Sequence, residues 1–257
     1  MLLPLLIAAA QPAVAPDPVV IALVAGEGDR KCLPDKSLCL DVPGSAEASD
    51  GGLILTAPVT GEADDLALPY SRDDGQTLSL WPHLIAVPSP EGTAPDARQY
   101  LMGVVVGTNT MYSGGGGNGS RLHLLRLDIT PSDTRRGGEV PGGGWGGSLV
   151  FRACFSEKDV KARREACHDE YSFTGALAAG PSEAGELPAL TYRSVATTYP
   201  RTSRRSEDNS GVRLTAADLV HAKDPECSYE RTLRYNPATS RYEMDRPAPE
   251  CSDYTTP

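Results

Sequence analysis

Residues 229–245 read YERTLRYNPATSRYEMD. Tyr229, Leu233 and Tyr235 alternate with Glu230, Thr232 and Arg234. Asn236-Pro237-Ala238-Thr239-Ser240 supplies turn chemistry, and Tyr242 and Met244 then alternate with Arg241, Glu243 and Asp245. Two period-two segments around a Pro-containing turn predict an antiparallel hairpin with one wet face.

The same period recurs upstream. Val19 to Val24 is a short apolar run, and Leu53, Leu55 and Ala57 alternate after Gly51-Gly52. Thr77 to Trp81 places Leu78 and Leu80 on one face, and Leu84 to Val87 resumes after Pro82. Tyr100 to Val106 contains LMGVVV, a continuous run suited to a central strand covered on both sides. Leu149, Phe151, Ala153 and Phe155 share a face opposite Arg152. Tyr171, Phe173 and Leu177 share another, and Leu190 and Tyr192 open a strand that runs to Tyr199.

Helix is scarce. Ser156 to Ala166 fits one short helix, with Ser156 as N-cap, Asp159 three residues on and a Glu157–Lys161 pair. Thr215-Ala216-Ala217-Asp218-Leu219 has room for a turn or two. The expected fold is all-β: an antiparallel sandwich or open barrel-like arrangement of about 9–12 short strands. No period of 20–50 residues recurs, which argues against a propeller.

Composition bounds the rest. The 257 residues suffice for one large domain or two small ones. Gly 26 and Pro 22 form roughly a fifth of the chain, above the ordinary share of about 12%, as expected for many turns. The net charge of −10 argues against a nucleic-acid binder, which needs a basic surface to displace counterions. No apolar stretch long enough for a transmembrane helix follows the N-terminus.

Met1 to Ala15, MLLPLLIAAAQPAVA, is an apolar run followed by small residues and reads as a signal peptide cleaved after Ala10 or Ala15. A proline at position 16 makes the second position less attractive, and the basic residue usual ahead of such a run is missing. Residues 16–257 are expected to form a single all-β unit. The glycine-rich stretch Gly137–Gly147 is the place where it would subdivide.

Six cysteines fall into three local couples, Cys32 with Cys39, Cys154 with Cys167 and Cys227 with Cys251. Six thiols allow 15 pairings, and the nearest-neighbour set is the expectation. Chain-entropy arguments assign such loops about 2.5, 3 and 3.5 kcal/mol. The alternative, a metal site, lacks a CxxC pair or a histidine at finger-like spacing. Bridges and leader together point to a periplasmic or secreted protein.

Chemistry-bearing motifs are few. Gly114 to Gly119 formally contains GxGxxG, but Ser120 to Asp128 reads as a strand where a dinucleotide site needs a helix. A mobile surface loop is expected there, bare enough for a ligand to approach its backbone. Asn118-Gly119-Ser120 is also a glycosylation sequon, relevant only in a glycosylating pathway. His83, His123, His168 and His221 form no HxH or HxxxH, so no metal or other cofactor is expected. No serine sits in GxSxG. Asp73-Asp74-Gly75 and Asp208-Asn209-Ser210-Gly211 resemble fragments of calcium loops but read as turns.

The densest cluster of catalytic residue types is His168-Asp169-Glu170, with His168 as a general base beside a carboxylate. Adjacent strand residues point to opposite faces, which weighs against that role. Tyr199, Arg201, Arg204 and Arg205 form a basic segment, a binding loop with forked donors if it is not simply a solvated turn. The expectation is an exported, non-catalytic binding or interaction protein of the cell envelope. The alternatives are a hydrolase assembled from distant loops around His168, and an enzyme inhibitor inserting the Gly114–Gly119 or Tyr199–Arg205 segment. The residues specify no particular ligand, protein partner or oligomeric state.

Overall fold

The structure is a computed structural model that describes residues 18–28, 30–42, 52–56, 63–67, 76–88, 97–130, 133–140, 144–180, 182, 186–239 and 241–257. The leader 1–15 with both cleavage positions, the Asp73-Asp74-Gly75 turn and residues 141–143 lie outside the described residues.

The all-β expectation holds: among the described residues the regular structure is strand apart from two short helices and one 3-10 turn. In chain order the strands are β1 (Val19–Ala22), β2 (Val24–Ala25), β3 (Lys31–Cys32), β4 (Cys39–Asp41), β5 (Gly52–Thr56) and β6 (Ala63–Ala67). They continue with β7 (Gln76–Val87), β8 (Arg98–Tyr112), β9 (Gly115–Thr130), β10 (Asp133–Val140) and β11 (Gly144–Arg152). Helix α1 (Glu157–Ala162) follows, then β12 (His168–Ala179), β13 (Leu190–Tyr199), a 3-10 turn (Ala216–Asp218), β14 (Ala222–Lys223), β15 (Glu230–Asn236), β16 (Arg241–Met244) and α2 (Ser252–Thr255).

Strands are more numerous than expected, and several are long. Proline 82 does not end β7: the strand passes it through a register shift between Leu80 and Leu84, where a ladder N–H is dispensable. The carbonyl of Pro82 still accepts the N–H of Leu23 at 2.9 Å. The glycine run does not end β9 either, so β8 and β9 form a hairpin of 15 and 16 residues.

The larger sheet runs β1-β7-β8-β9-β11-β12-β13-β15-β16, with β10 also on β9 and β14 on β13. All its pairings are antiparallel. The second sheet is β2-β3-β4-β5-β6. Strands flanking the glycine-rich stretch both pair with β9, β10 along residues 124–130 and β11 along 115–121.

Strand β8 is an interior strand covered on both faces, as its uninterrupted apolar run predicts. Met102 and Val104 pack with Leu40 of β4 and with Leu33 and Leu38 of the β3–β4 turn, whereas Leu101 packs with Trp81, Leu190, Tyr192, Leu233 and Tyr242. A third cluster joins Leu149, Tyr171, Phe173, Ala196 and Tyr254 around the Cys227–Cys251 bridge. The expected C-terminal hairpin forms, and its register sets Tyr235 opposite Tyr242 and Leu233 opposite Met244. Phe155 departs from its expected row: it leaves the sheet to precede α1 and is 66% exposed. All three expected bridges are present: Cys32–Cys39, Cys154–Cys167 and Cys227–Cys251.

Candidate functional site

Helix α1 fills the loop between β11 and β12, and the Cys154–Cys167 bridge closes that loop. Ser156 caps it: its hydroxyl accepts the Asp159 N–H at 3.3 Å, and the Asp159 carboxylate accepts the N–H groups of Phe155 and Ser156 at 3.0 and 2.9 Å. Those bonds hold Asp159 below the usual carboxylate range. Arg164 and Glu165 then take left-handed backbone angles (φ 52° and 69°), and the chain turns back toward Cys167.

Arg163, at that turn, is fully buried. Its Nε donates to the Ala166 carbonyl at 2.9 Å, Nη1 to the Asn209 carbonyl and Nη2 to Asp169. The same Asp169 oxygen accepts the Ser203 hydroxyl. Asn209 closes its own loop by donating to the Arg204 carbonyl at 2.8 Å and accepting the Arg204 N–H at 3.2 Å. A buried charge is tolerated only with such full pairing, and this network ties α1, β12 and the 201–211 segment together.

The expected cluster His168-Asp169-Glu170 is therefore split. Along β12, Asp169, Tyr171 and Phe173 are buried, whereas His168 and Ser172 are exposed and Glu170 is half-buried on their side. His168 shares its face with Glu170, and the carboxylate of Asp169 is turned away to Arg163.

The basic segment is also largely engaged. A cis Tyr199–Pro200 bond starts it, and the Tyr199 ring lies 4.9 Å from that of His221. Arg204 donates to the Ser203 carbonyl at 2.9 Å. Arg205 reaches the C-terminal segment, donating to the carbonyls of Ser252, Asp253 and Thr256, and covers the Phe151 ring at 5.2 Å. Tyr112 stacks on that same ring at 5.4 Å. Arg201 is exposed.

The glycine run is strand rather than mobile loop, because hydrogen-bonded neighbours flank it on both edges, β8 and β11. Gly114, with φ at 97°, makes the turn. The missing side chains do admit a close approach, but by the chain itself. A Cβ on Gly119 would collide with the Thr255 carbonyl, and one on Gly147 with that of Tyr254. Tyr254 is buried there, its hydroxyl shared with Thr198 at 2.9 Å and donated to Asp224 at 2.7 Å. Burial, above all, pushes the Tyr254 phenol up to about 12.

The opposite face of this half-sheet is open. Register places Asn109 beside Asn118, Asn118 beside Ser148, Ser148 beside Ser172 and Ser172 beside Thr197. Asn109, Asn118, Ser148 and Ser172 are exposed and Thr197 is half-buried. At about 4.8 Å per strand the row spans about 19 Å. Next to it on the same face lie Met111, Gly116, Val150, Glu170 and Tyr199. Sequence reading missed this row because its members are 9 to 30 positions apart and only the strand register aligns them. The signal present was the outward parity of Asn118, Ser148 and Ser172 within strands already recognised.

No group of three or more metal-ligating side chains occurs among the described residues. No family model, curated protein or solved structure matches the chain.

Proposed function

We propose that the protein is an exported, non-catalytic binding module that uses the open face of β9, β11, β12 and β13. The observation that carries this reading is the commitment of Asp169 to Arg163 and Ser203, on the side of the sheet away from His168. In a nucleophile–base arrangement the base is oriented by a third group, and Asp169, the carboxylate adjacent to His168 in the chain, serves the frame instead. Three disulfides are compatible with an oxidising compartment outside the cytosol. The Cys154–Cys167 and Cys227–Cys251 bridges, with the buried Arg163 network, brace the strands of this face, which lowers the entropy cost of binding.

Purified oxidised protein, tested against glycan, peptide and ester panels, is expected to show saturable binding without turnover. Turnover that disappears in His168→Ala would overturn the reading in favour of a hydrolase.

A further inference from the structure

The open row is chemically uniform. Its five members, Asn109, Asn118, Ser148, Ser172 and Thr197, carry no ionisable group, yet each offers both a donor and an acceptor. Ser172 and Thr197 share a hydrogen bond of 2.7 Å, and Asn109, Asn118 and Ser148 have no side-chain partner among the described residues. The flanking row on one side, Gly107, Ser120, Gly146, Thr174 and Val195, adds two hydroxyls and two glycines. On the other side Gly116 leaves Asn118 uncovered, and Tyr199, braced by His221, offers a ring at the margin. The nearest charges are Lys223, opposite Thr197 at the end of the row, and Glu170 on the adjacent one.

We propose, building on the binding-module reading, that this row is a docking strip for an uncharged polysaccharide. Sugar hydroxyls are themselves donors and acceptors, and they match Ser, Thr and Asn without a counter-charge. The strip is long and one side chain wide, a shape suited to an extended chain. The charge balance points the same way: a neutral strip on a protein of net charge −10 repels polyanions at range and offers neutral chains nothing to repel. A protein-binding surface is typically anchored by central Trp, Tyr or Arg residues, and the row has none.

The test uses the full oxidised chain in affinity electrophoresis through gels containing dextran, mannan or soluble β-glucan, with polygalacturonate as the anionic counterpart. Retardation by at least one neutral polymer is expected, unchanged between low and high salt. Ser148→Glu and Asn118→Asp, both on exposed positions, should each weaken it by about tenfold or more while the melting temperature stays put. Ala238→Glu, a charge of the same sign on the distant hairpin turn, should leave it intact. Retardation by polygalacturonate alone, no retardation by any neutral polymer, or equal loss in Ala238→Glu would overturn the proposal. Saturable peptide binding without glycan binding would overturn the ligand class and leave the module reading standing, whereas His168-dependent turnover would remove both.

Discussion

Among the described residues, Arg163 and Asp169 form the ion pair that is closed to solvent, with side chains 1% and 4% exposed. The Arg193–Glu230 pair, 68% and 53% exposed, is its opposite in setting. Asp169→Ala leaves a guanidinium buried without its counter-ion and should cost about 3–5 kcal/mol. Arg193→Ala should cost no more than about 1 kcal/mol. Urea unfolding of the two variants beside the parent protein measures the contrast, and equal midpoints would contradict the role given to Arg163.

Acid should weaken the fold from about pH 4 downward. Hydrogen bonds from Phe155 and Ser156 hold Asp159 low, and those from Thr215 do the same for Asp218. Burial opposes ionisation of Asp224, but the N–H groups of Cys227 and Glu226 and the Tyr254 hydroxyl outweigh it. Each folded pKa lies below its unfolded value near 3.8, so the stabilisation is complete above that value and is lost as pH falls through the folded one. Thermal melts between pH 7 and 2 should show a plateau and then a decline.

At alkaline pH the sign reverses. Burial raises Tyr171, Tyr192 and Tyr242 and takes Tyr254 up to about 12, against an ordinary 10. The neutral phenols therefore stabilise the fold fully below pH 10, and that contribution fades as pH rises through the folded values. Tyrosinate absorbance should show a late fraction of the ten tyrosines, appearing together with loss of the native circular-dichroism signal. Uniform reversible ionisation near pH 10 would refute this.

Gly119→Val and Gly147→Val should each push the C-terminal segment off the sheet, because the added carbons meet backbone carbonyls of Thr255 and Tyr254. Overpacking of this kind costs about 1–3 kcal/mol. Gly211→Ala, where a Cβ meets nothing within 4 Å, should stay within about 0.5 kcal/mol of the parent. Calorimetry reports the cost, and faster carboxypeptidase trimming reports the displaced segment.

Non-reducing mass spectrometry should recover the pairs Cys32–Cys39, Cys154–Cys167 and Cys227–Cys251, with no cysteine alkylated in native protein. Replacing Cys227 and Cys251 together by serine should cost about 2–5 kcal/mol.

Most of the frame was legible in the sequence because its cues are local. Period two announced β12, β13 and the β15–β16 hairpin, Ser156 and Asp159 announced α1, and short spacings announced the bridges. Long-range partners were not legible. Arg163 has the sequence surroundings of an ordinary helix-end cation, and its burial depends on Asn209 and Ser203, some 40 positions away. Residues 115–119, four glycines and Asn118, look like a loop until β11 and the C-terminal segment are placed against them. The Asn–Ser–Thr row exists only in the register between strands.

The order of the larger sheet has a kinetic consequence. From β7 to β16 nearly every strand hydrogen-bonds to its predecessor or to the one before that. Each addition closes only a modest loop, so the entropic barrier to nucleating this sheet is divided into small steps. An all-β chain with crossed connections would have to close distant ends first. This one can grow like a zipper from the long β8–β9 hairpin outward.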